Sequence, residues 1–224
     1  MNNLNKWSEL AASILAPPFC LLCGRLGSFL CEHCHGHLAI LPSYDYSLQF
    51  RSRYQARGEQ YYPRHTLALL DYDRVSAKLL ARFKYQGESR LAKPFAFWLY
   101  QYLFFPEVEA LTFVPLSFQR QAQRGYNQAQ LLSQNLAAFL HLPCWDLLER
   151  PHSCQPQAAK TRRERLAIMQ QNWTLKQSVV GKKLLVVDDV ITTGATLNQA
   201  AKTLLLAGAA RVDVLALAID SEQS

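Results

Sequence analysis

Residues 184–197 read LLVVDDVITTGATL, and this stretch decides the fold that the sequence predicts. Its first four residues are apolar and precede Asp188 and Asp189, which is typical of a buried strand in a parallel sheet. Beyond the following loop, apolar residues recur at helical spacing as far as Gly208, a residue that favours a helix end. A second apolar strand is expected over residues 211–219. Strand, helix and strand in this order predict a right-handed βαβ crossover.

The loop after the acidic pair has the composition of a phosphate site. It contains Thr192, Thr193, Gly194, Ala195 and Thr196. Its N–H and hydroxyl groups can surround a phosphate at the helix N-terminus without any Lys or Arg, and Gly194 lets the backbone approach closely. Ligands of open α/β sheets bind beyond the carboxyl ends of the strands. A sugar on that phosphate would therefore lie over Asp188 and Asp189, which can accept hydrogen bonds from vicinal hydroxyls or help to hold Mg2+.

Two other interpretations of this stretch compete with a sugar-phosphate site. The acidic pair could serve the metal of a P-loop ATPase, but the run G-x-x-x-x-G-K-[ST] that such a site needs is missing from the chain. Alternatively, the acids are an ordinary strand end and the threonines an ordinary helix N-cap. The complete run of apolar strand, acidic pair, threonine loop and apolar helix is more specific than either of these features alone.

Four of the six cysteines form two C-x2-C pairs near the start of the chain. They are Cys20, Cys23, Cys31 and Cys34, with seven residues between the pairs. Four thiolates suit a tetrahedral Zn2+, and such a closed site would be structural because no position is open to water. A redox dithiol, two disulfides or chance remain the alternatives. His33, His35 and His37 are expected outside the ligand set.

The same features suggest a division of the chain. We expect an N-terminal helix and zinc knuckle over residues 1–42, a polar linker or extended connection over 43–64, and an α/β domain over 65–224. Cys144 and Cys154 lie far from the cluster, and buried free thiols are the default for both.

Composition and charge exclude several classes of protein. Half of the 224 residues are hydrophobic and 18% are charged, which excludes a disordered chain. The charge of +7 suits an anionic partner or simply a basic surface. Residues 2–16 have amphipathic helical spacing and do not form a signal peptide, and the apolar run 95–105 is too short to span a bilayer and predicts a core helix. The expectation is a cytoplasmic protein without a transmembrane segment, in which disulfides are uncommon.

The middle of the chain continues the alternation of strands and helices. Strands are expected at residues 66–72 and 111–114, the first followed by a helix that ends at Lys84. Arg120 and Arg124 come after the second strand, where two guanidinium groups can hold a pyrophosphate. Solvated surface arginines are the alternative. Asn127 and Gln128 are candidates to cap the helix that follows.

Residues 186–197 resemble the signature of type I phosphoribosyltransferases that binds 5-phosphoribosyl 1-diphosphate (PRPP). Together with the four-cysteine knuckle, they resemble the ComF/GntX family, which is tied to competence and DNA utilisation in bacteria. The resemblance covers nearly the whole chain. It implies an α/β fold of the type I phosphoribosyltransferase kind, with a parallel sheet flanked by helices and a small N-terminal zinc knuckle. It also implies PRPP or a related phosphosugar as ligand, with Mg2+.

The resemblance also implies roles for residues outside the signature. Arg120 and Arg124 occupy the family's pyrophosphate loop, and Lys84 belongs to a Lys-aromatic-x-Gly element that faces the site. Residues 150–173 correspond to a lid over PRPP, in which Arg165 matches a family arginine.

The lid region follows the family pattern only in part. Gln157 matches it, but Cys154 stands where the pattern has Thr, and Ile168 stands where it has Asn.

Two functions of different classes follow from this resemblance. A phosphoribosyltransferase would displace pyrophosphate from PRPP, with Asp188, Asp189, Arg120 and Arg124 as its catalytic residues, although no general base for an acceptor is evident. The alternative is a non-catalytic module that binds PRPP, a nucleotide or single-stranded DNA and acts in DNA uptake, with the DNA-uptake machinery as a further partner. The positive charge, the aromatic residues between 51 and 62 and the arginines of 162–165 suit single-strand binding.

Overall fold

The computed structural model describes residues 19–28, 30–41, 45–85, 87–150 and 173–220. Its strands are β1 (Thr66–Asp71), β2 (Ala110–Phe113), β3 (Leu148–Glu149), β4 (Thr174–Leu175), β5 (Lys183–Ile191) and β6 (Arg211–Ile219). Its α-helices are α1 (Glu32–His35), α2 (Ser47–Ala56), α3 (Arg74–Tyr85), α4 (Ala92–Tyr102), α5 (Phe118–Arg124), α6 (Gln128–Leu140) and α7 (Ala195–Leu206). A short 3₁₀ helix covers Ser89–Leu91.

The centre of the fold is a parallel sheet with the strand order β1-β6-β5-β2. The strand–helix–strand unit expected from the sequence is confirmed: β5 and β6 are neighbours, with Val186 opposite Val214, and α7 connects them. The predicted strands before it, 66–72 and 111–114, appear as β1 and β2 within one residue of the expected bounds. A separate antiparallel pair is formed by β3 and β4.

Helices cover both faces of the sheet, and the central strands are therefore apolar on both sides. Along β6, Leu215 and Leu217 pack into the core that includes α3, α4 and α6. The alternate residues Val214 and Ala216 pack into the opposite core, which includes residues of α2 and α7. This three-layer arrangement is the α/β class that the sequence predicts.

A helix occupies the segment in which the sequence predicts a linker or extended connection. Within residues 43–64, α2 buries Phe50 and Tyr54, which are 1% and 4% exposed. These two aromatic residues lie four positions apart on one helix face, but the residues between and around them are polar and hide the periodicity. The division of the chain at 42 and 64 stays a prediction.

The apolar run 95–105 contributes to a core helix, as predicted. Phe95, Ala96 and Leu99 of α4 are buried, and the helix ends at Tyr102. Among the described residues, no helix has the length and apolar character needed to cross a membrane. The amphipathic helix predicted over residues 2–16 lies outside the described part of the chain.

The cysteine-containing segment is attached directly to the sheet. Residues 39–41 run antiparallel to β1, where the Leu41 N–H donates to the Leu69 carbonyl at 2.7 Å. The ring of His35 also packs edge-on against Trp98 of α4, with 5.5 Å between the ring centroids. His35 therefore makes a packing contact between the cysteine segment and α4.

Candidate functional site

The acidic pair lies where β5 extends beyond its neighbour. The last residue of β5 paired with β2 is Val187, opposite Phe113. The sequence predicts that the strand ends at the acids, whereas β5 continues to Ile191 through its pairing with β6. Because β2 has ended, the edge of β5 at Asp188 and Asp189 has no strand partner on that side among the described residues. The pair therefore lies at the carboxyl edge of the sheet, where ligands of such sheets bind.

Burial and the neighbouring charges shift the pKa of Asp188. The Lys84 Nζ lies 3.0 Å from Asp189 Oδ1, and both side chains are mostly buried. The Asp189 N–H donates to Asp188 Oδ1 at 2.8 Å. Burial and the neighbouring Asp189 carboxylate raise the pKa of Asp188 to about 7, against the opposing effects of Lys84 and Arg150. The structure thus brings together Lys84 and the acidic pair, which the sequence assigned to one site.

The threonine loop leads into the N-terminus of α7. Helix α7 begins at Ala195, so Ala195 and Thr196 form its first turn, and Gly194 is the N-cap residue with a φ of 74°. Gly194 has no side chain to cap the helix, and the Ala195 N–H donates to the Thr193 hydroxyl at 3.4 Å. Thr192 and Thr193 are exposed. The first-turn N–H groups and the threonine hydroxyls are therefore positioned to receive an anion.

Helix α2 lies directly against this loop. The Tyr54 hydroxyl donates to the Thr193 carbonyl at 3.3 Å. A Cβ added at Gly194 would lie 2.7 Å from Cε1 of Phe50. The Phe50 ring is in turn stacked on Tyr61, with 5.3 Å between centroids. Sequence reasoning missed this support, although a Phe and a Tyr four residues apart in a polar segment were a signal for a buried helix face.

The two arginines after β2 have different surroundings. The Arg120 side chain is exposed on α5. The Arg120 backbone N–H donates to the hydroxyl of Ser117, the N-cap residue of α5, at 3.5 Å. The Arg124 guanidinium lies 4.8 Å above the Tyr85 ring and donates to the Tyr85 hydroxyl and to Gln128 Oε1, both at 3.1 Å. Arg124 is thus linked to the residue that follows Lys84.

Only one of the two proposed capping residues caps α6. The Asn127 side chain accepts from the Gln130 N–H at 3.3 Å. The Gln128 side chain instead donates to the carbonyls of Phe83 and Lys84, both at 3.3 Å. Gln128 therefore fastens the end of α3, which carries Lys84, to the start of α6.

Arg150 is a residue near the acids that sequence reasoning missed. Its guanidinium lies 5.0 Å above the ring of Trp173. These two residues flank the undescribed segment 151–172, and the pairing of β3 with β4 holds them together. The Asp188 carboxylate and the Arg120 guanidinium both act electrostatically on Arg150. No local motif marks this arginine in the sequence.

The four cysteines of the two C-x2-C pairs converge on one point. All their Sγ atoms lie within 4.8 Å of one another, and Cys23 Sγ and Cys31 Sγ are 3.6 Å apart. A tetrahedral zinc with Zn–S bonds of about 2.3 Å implies S–S distances of about 3.8 Å. Gly24 makes the turn after the first pair with a φ of 76°. The cluster is compatible with a structural zinc.

The protonation of the cysteines also suits a cation. Burial raises the pKa of Cys20, but hydrogen bonds from neighbouring backbone N–H groups outweigh it and lower the pKa to about 6. Burial and hydrogen bonds with the other three cysteines raise the pKa of Cys34 to about 12. Four crowded thiols cannot all ionise at neutral pH without a compensating positive charge, which a bound metal would supply.

Comparison with known proteins identifies the family. A family model described as "Phosphoribosyl transferase domain" matches residues 122–223. Competence protein F of Haemophilus influenzae is 31% identical over 214 residues, which cover 90% of this chain and 84% of that protein. The chain belongs to the competence protein F family. The resemblance stated from the signature and the cysteine pairs is thereby confirmed, as is the phosphoribosyltransferase-type fold.

Other relatives cover less of the chain. Competence protein ComFC of Streptococcus pneumoniae is 34% identical over 150 residues, 67% of this chain and 66% of that protein. DNA utilization protein YhgH of Escherichia coli K12 is 38% identical over 106 residues, 46% of each protein. A solved structure of the allosteric regulatory enzyme of purine biosynthesis matches 60% of this chain and 29% of that chain at 17% identity, with a TM-score of 0.42.

Several predicted residues of this competence protein F family member are not part of the described site. The predicted residues of the lid lie outside the described part of the chain. They are Cys154, Gln157, Ile168 and the arginines of 162–165, which include Arg165. Cys144 is a half-buried free thiol, 3.3 Å from the Ser133 hydroxyl.

The aromatic residues expected to stack on single-stranded DNA are mostly inaccessible. Tyr54 and Tyr61 are buried, and the partly exposed Tyr62 has the Lys202 ammonium 5.7 Å from its ring centroid. Buried rings cannot serve as a stacking platform for bases. The structure therefore removes two of the three tyrosines between residues 51 and 62 from that argument.

Proposed function

We propose that this competence protein F family member binds PRPP or a closely related phosphosugar together with Mg2+, and that it acts in the uptake or use of DNA. The observation that carries the binding proposal is the placement of Asp188, Asp189 and Lys84 beside the N-terminus of α7, whose N-cap residue Gly194 has no capping side chain. The names of the relatives, competence protein F and DNA utilization protein, support the role in DNA uptake or use.

In the proposed complex, each part of the ligand has its own set of partners. The N–H groups and hydroxyls of residues 192–196 hold the 5′-phosphate, a contact remote from the anomeric carbon that orients the sugar. Asp188 and Asp189 accept hydrogen bonds from the ribose hydroxyls. Lys84 holds the Asp189 carboxylate in position through their 3.0 Å ion pair.

The carboxylates and the ligand's own oxygens are the donor set that Mg2+ prefers. When bound, Mg2+ would neutralise charge on the pyrophosphate. We assign Arg120 and Arg124 to the same end of the ligand, because they follow β2 at the carboxyl edge of the sheet. If an acceptor is present, these residues would stabilise the departing pyrophosphate during its displacement from the anomeric carbon.

We also propose that the four cysteines bind one structural Zn2+. The convergence of four Sγ atoms within 4.8 Å supports this proposal. The metal would stabilise a segment with few apolar side chains of its own, and through His35 and residues 39–41 it would support the contacts with α4 and β1.

Calorimetric titration with PRPP in the presence of Mg2+ tests the ligand proposal. We expect wild-type protein to bind, and Asp189→Asn to weaken binding by about tenfold or more, since it removes a charge that pairs with Lys84 and contacts the ligand. Glu107→Gln is the matched control, because it removes an exposed carboxylate that pairs with Lys183 at the opposite end of β5. Absence of binding to the wild type would reject the proposal.

Turnover is tested separately from binding. Pyrophosphate release is measured with PRPP, Mg2+ and a series of nucleobases and amines as acceptors. Release that Asp188→Asn abolishes supports a transferase, whereas binding of PRPP without release from any acceptor favours a non-catalytic PRPP-binding module.

A further inference from the structure

Arg150 is a cation whose hydrogen-bonding capacity is incompletely used. It directly follows β3, and strand alternation places it on the same side as the buried Leu148. The Arg150 Nε is buried and has no hydrogen-bond partner among the described residues. A buried donor on a charged group is costly when it is unpaired, and this donor therefore indicates a missing acceptor.

The carboxylate that acts on Arg150 does not supply that acceptor. Asp188 acts on Arg150 electrostatically, but no hydrogen bond joins them among the described contacts. The Arg120 guanidinium also acts on Arg150, as a like charge. Two cations near one another are stabilised by an anion between them.

A cleft adjoins Arg150 on the side of the loop that follows β2. It has a volume of about 250 Å³, and Pro115, Leu116 and Gln121 form part of its wall. The acids on its lining do not compensate Arg150 directly: Asp146 is paired with Lys176 at 2.7 Å, and Glu149 is exposed on the alternate side of β3. The cleft therefore offers an anion access to Arg150 from the side of α5, the helix that carries Arg120.

The ring of Trp173 holds this guanidinium in a cation–π contact. The guanidinium carbon of Arg150 lies 5.0 Å from the ring centroid, and such a contact uses none of the N–H donors. A planar group held in this way suits the paired oxygens of a phosphate. Arg124, in comparison, already donates to Tyr85 and Gln128.

We propose that Arg150, oriented by Trp173, binds the pyrophosphate end of the phosphosugar together with Arg120. This inference rests on the proposed function, since it adds a residue to the same ligand site. It assigns Arg150 as a binding residue and Trp173 as a positioning residue. The 5′-phosphate, held by the threonine loop, has no part in the contact.

Titration with three ligands separates this role from general effects. Full-length wild type, Arg150→Gln, Arg150→Lys and Trp173→Leu are each titrated with PRPP, pyrophosphate and ribose 5-phosphate in the presence of Mg2+. Arg150→Gln should weaken binding of PRPP and pyrophosphate by about tenfold or more and change ribose 5-phosphate by less than about twofold. Arg150→Lys should give an intermediate loss, because the charge stays but the paired donors are removed. Trp173→Leu should show the same ligand selectivity with a smaller effect.

Arg90→Gln is the matched control, because it removes an exposed guanidinium that pairs with Glu88. Equal losses for all three ligands, or unchanged pyrophosphate binding in Arg150→Gln, would overturn the inference while leaving PRPP binding by the wild type intact. If Arg150→Gln does not fold, Arg150→Lys decides the question by the same comparison of ligands. Failure of the wild type to bind any of the three ligands would instead reject the proposed function itself.

Discussion

Gly194→Ala should destabilise the protein for two separable reasons. Gly194 has a φ of 74°, in the left-handed region, where an alanine costs about 1–2 kcal/mol. The added Cβ would also lie 2.7 Å from Cε1 and 2.9 Å from Cδ1 of Phe50. Phe50 is 1% exposed and stacked on Tyr61, so its ring has little space to move. Overpacking of this kind costs about 1–3 kcal/mol, which brings the expected loss of unfolding free energy to about 2–5 kcal/mol.

The chain offers a matched control for the backbone effect. Gly58 has a φ of 69°, but a Cβ at that position would meet nothing within 4 Å. Gly58→Ala should therefore lose only the backbone part, about 1–2 kcal/mol. The free energies of unfolding are measured by urea denaturation of both variants and the wild type. The difference between the two variants gives the contribution of the Phe50 contact.

A double-mutant cycle identifies the contact itself. Phe50→Leu removes the ring edge that the new Cβ would meet, so Gly194→Ala should cost less in that background than in the wild type. Gly194→Ala should also weaken PRPP binding, because it displaces the loop proposed to hold the 5′-phosphate. Equal losses for Gly194→Ala and Gly58→Ala, with no coupling to Phe50, would refute the argument that α2 fixes the shape of the loop.

Three further predictions concern the same site and the cysteine cluster. PRPP affinity with Mg2+ should rise between pH 6 and 8 as Asp188 loses its proton near pH 7, and titrations of Asp188→Asn should show a smaller rise, which comes from the ligand's own phosphates alone. The unliganded wild type should become less stable as the pH rises toward 7, since the raised pKa of Asp188 favours the protonated folded form. Tyr54→Phe should lose about 0.5–1.5 kcal/mol in urea denaturation and bind PRPP more weakly, with unchanged zinc content, because the bond to the Thr193 carbonyl is removed. Cys23→Ser should lower bound zinc and the melting temperature, and a purified wild type without zinc would contradict the metal proposal.

The strand–helix–strand unit was predictable because its signals are local. The apolar residues of 184–187 and 212–217 and the helical repeat between them determine which faces are buried without reference to any other part of the chain. The cysteine cluster was predictable for a similar reason, since each C-x2-C pair is a local turn. The end of β5 was not predictable from local signals. Its extension to Ile191 depends on pairing with β6, a strand that begins 20 residues later.

The support around the phosphate loop depends on contacts between distant parts of the chain. Tyr54 and Thr193 are 139 residues apart, and a tyrosine among arginines and glutamines gives no indication of such a partner. Arg150 lies near the acids because β3 and β4 pair, and each of these strands is only two residues long. Short strands of this kind carry no recognisable alternation. The resemblance to a family indicated Lys84, whereas only the folded chain shows its ion pair with Asp189.

The distribution of ion pairs gives a direction to the proposed ligand. At the amino-terminal edge of the sheet, Lys182, Lys183 and Arg211 are paired with Glu109, Glu107 and Asp213. At the carboxyl edge, Lys84 is paired with Asp189, whereas no ion pair among the described residues involves Arg120 or Arg150. The threonine loop has no cation of its own. A ligand with a single phosphate at one end and a more highly charged group at the other is therefore best matched with the single phosphate at the loop and the pyrophosphate toward the arginines.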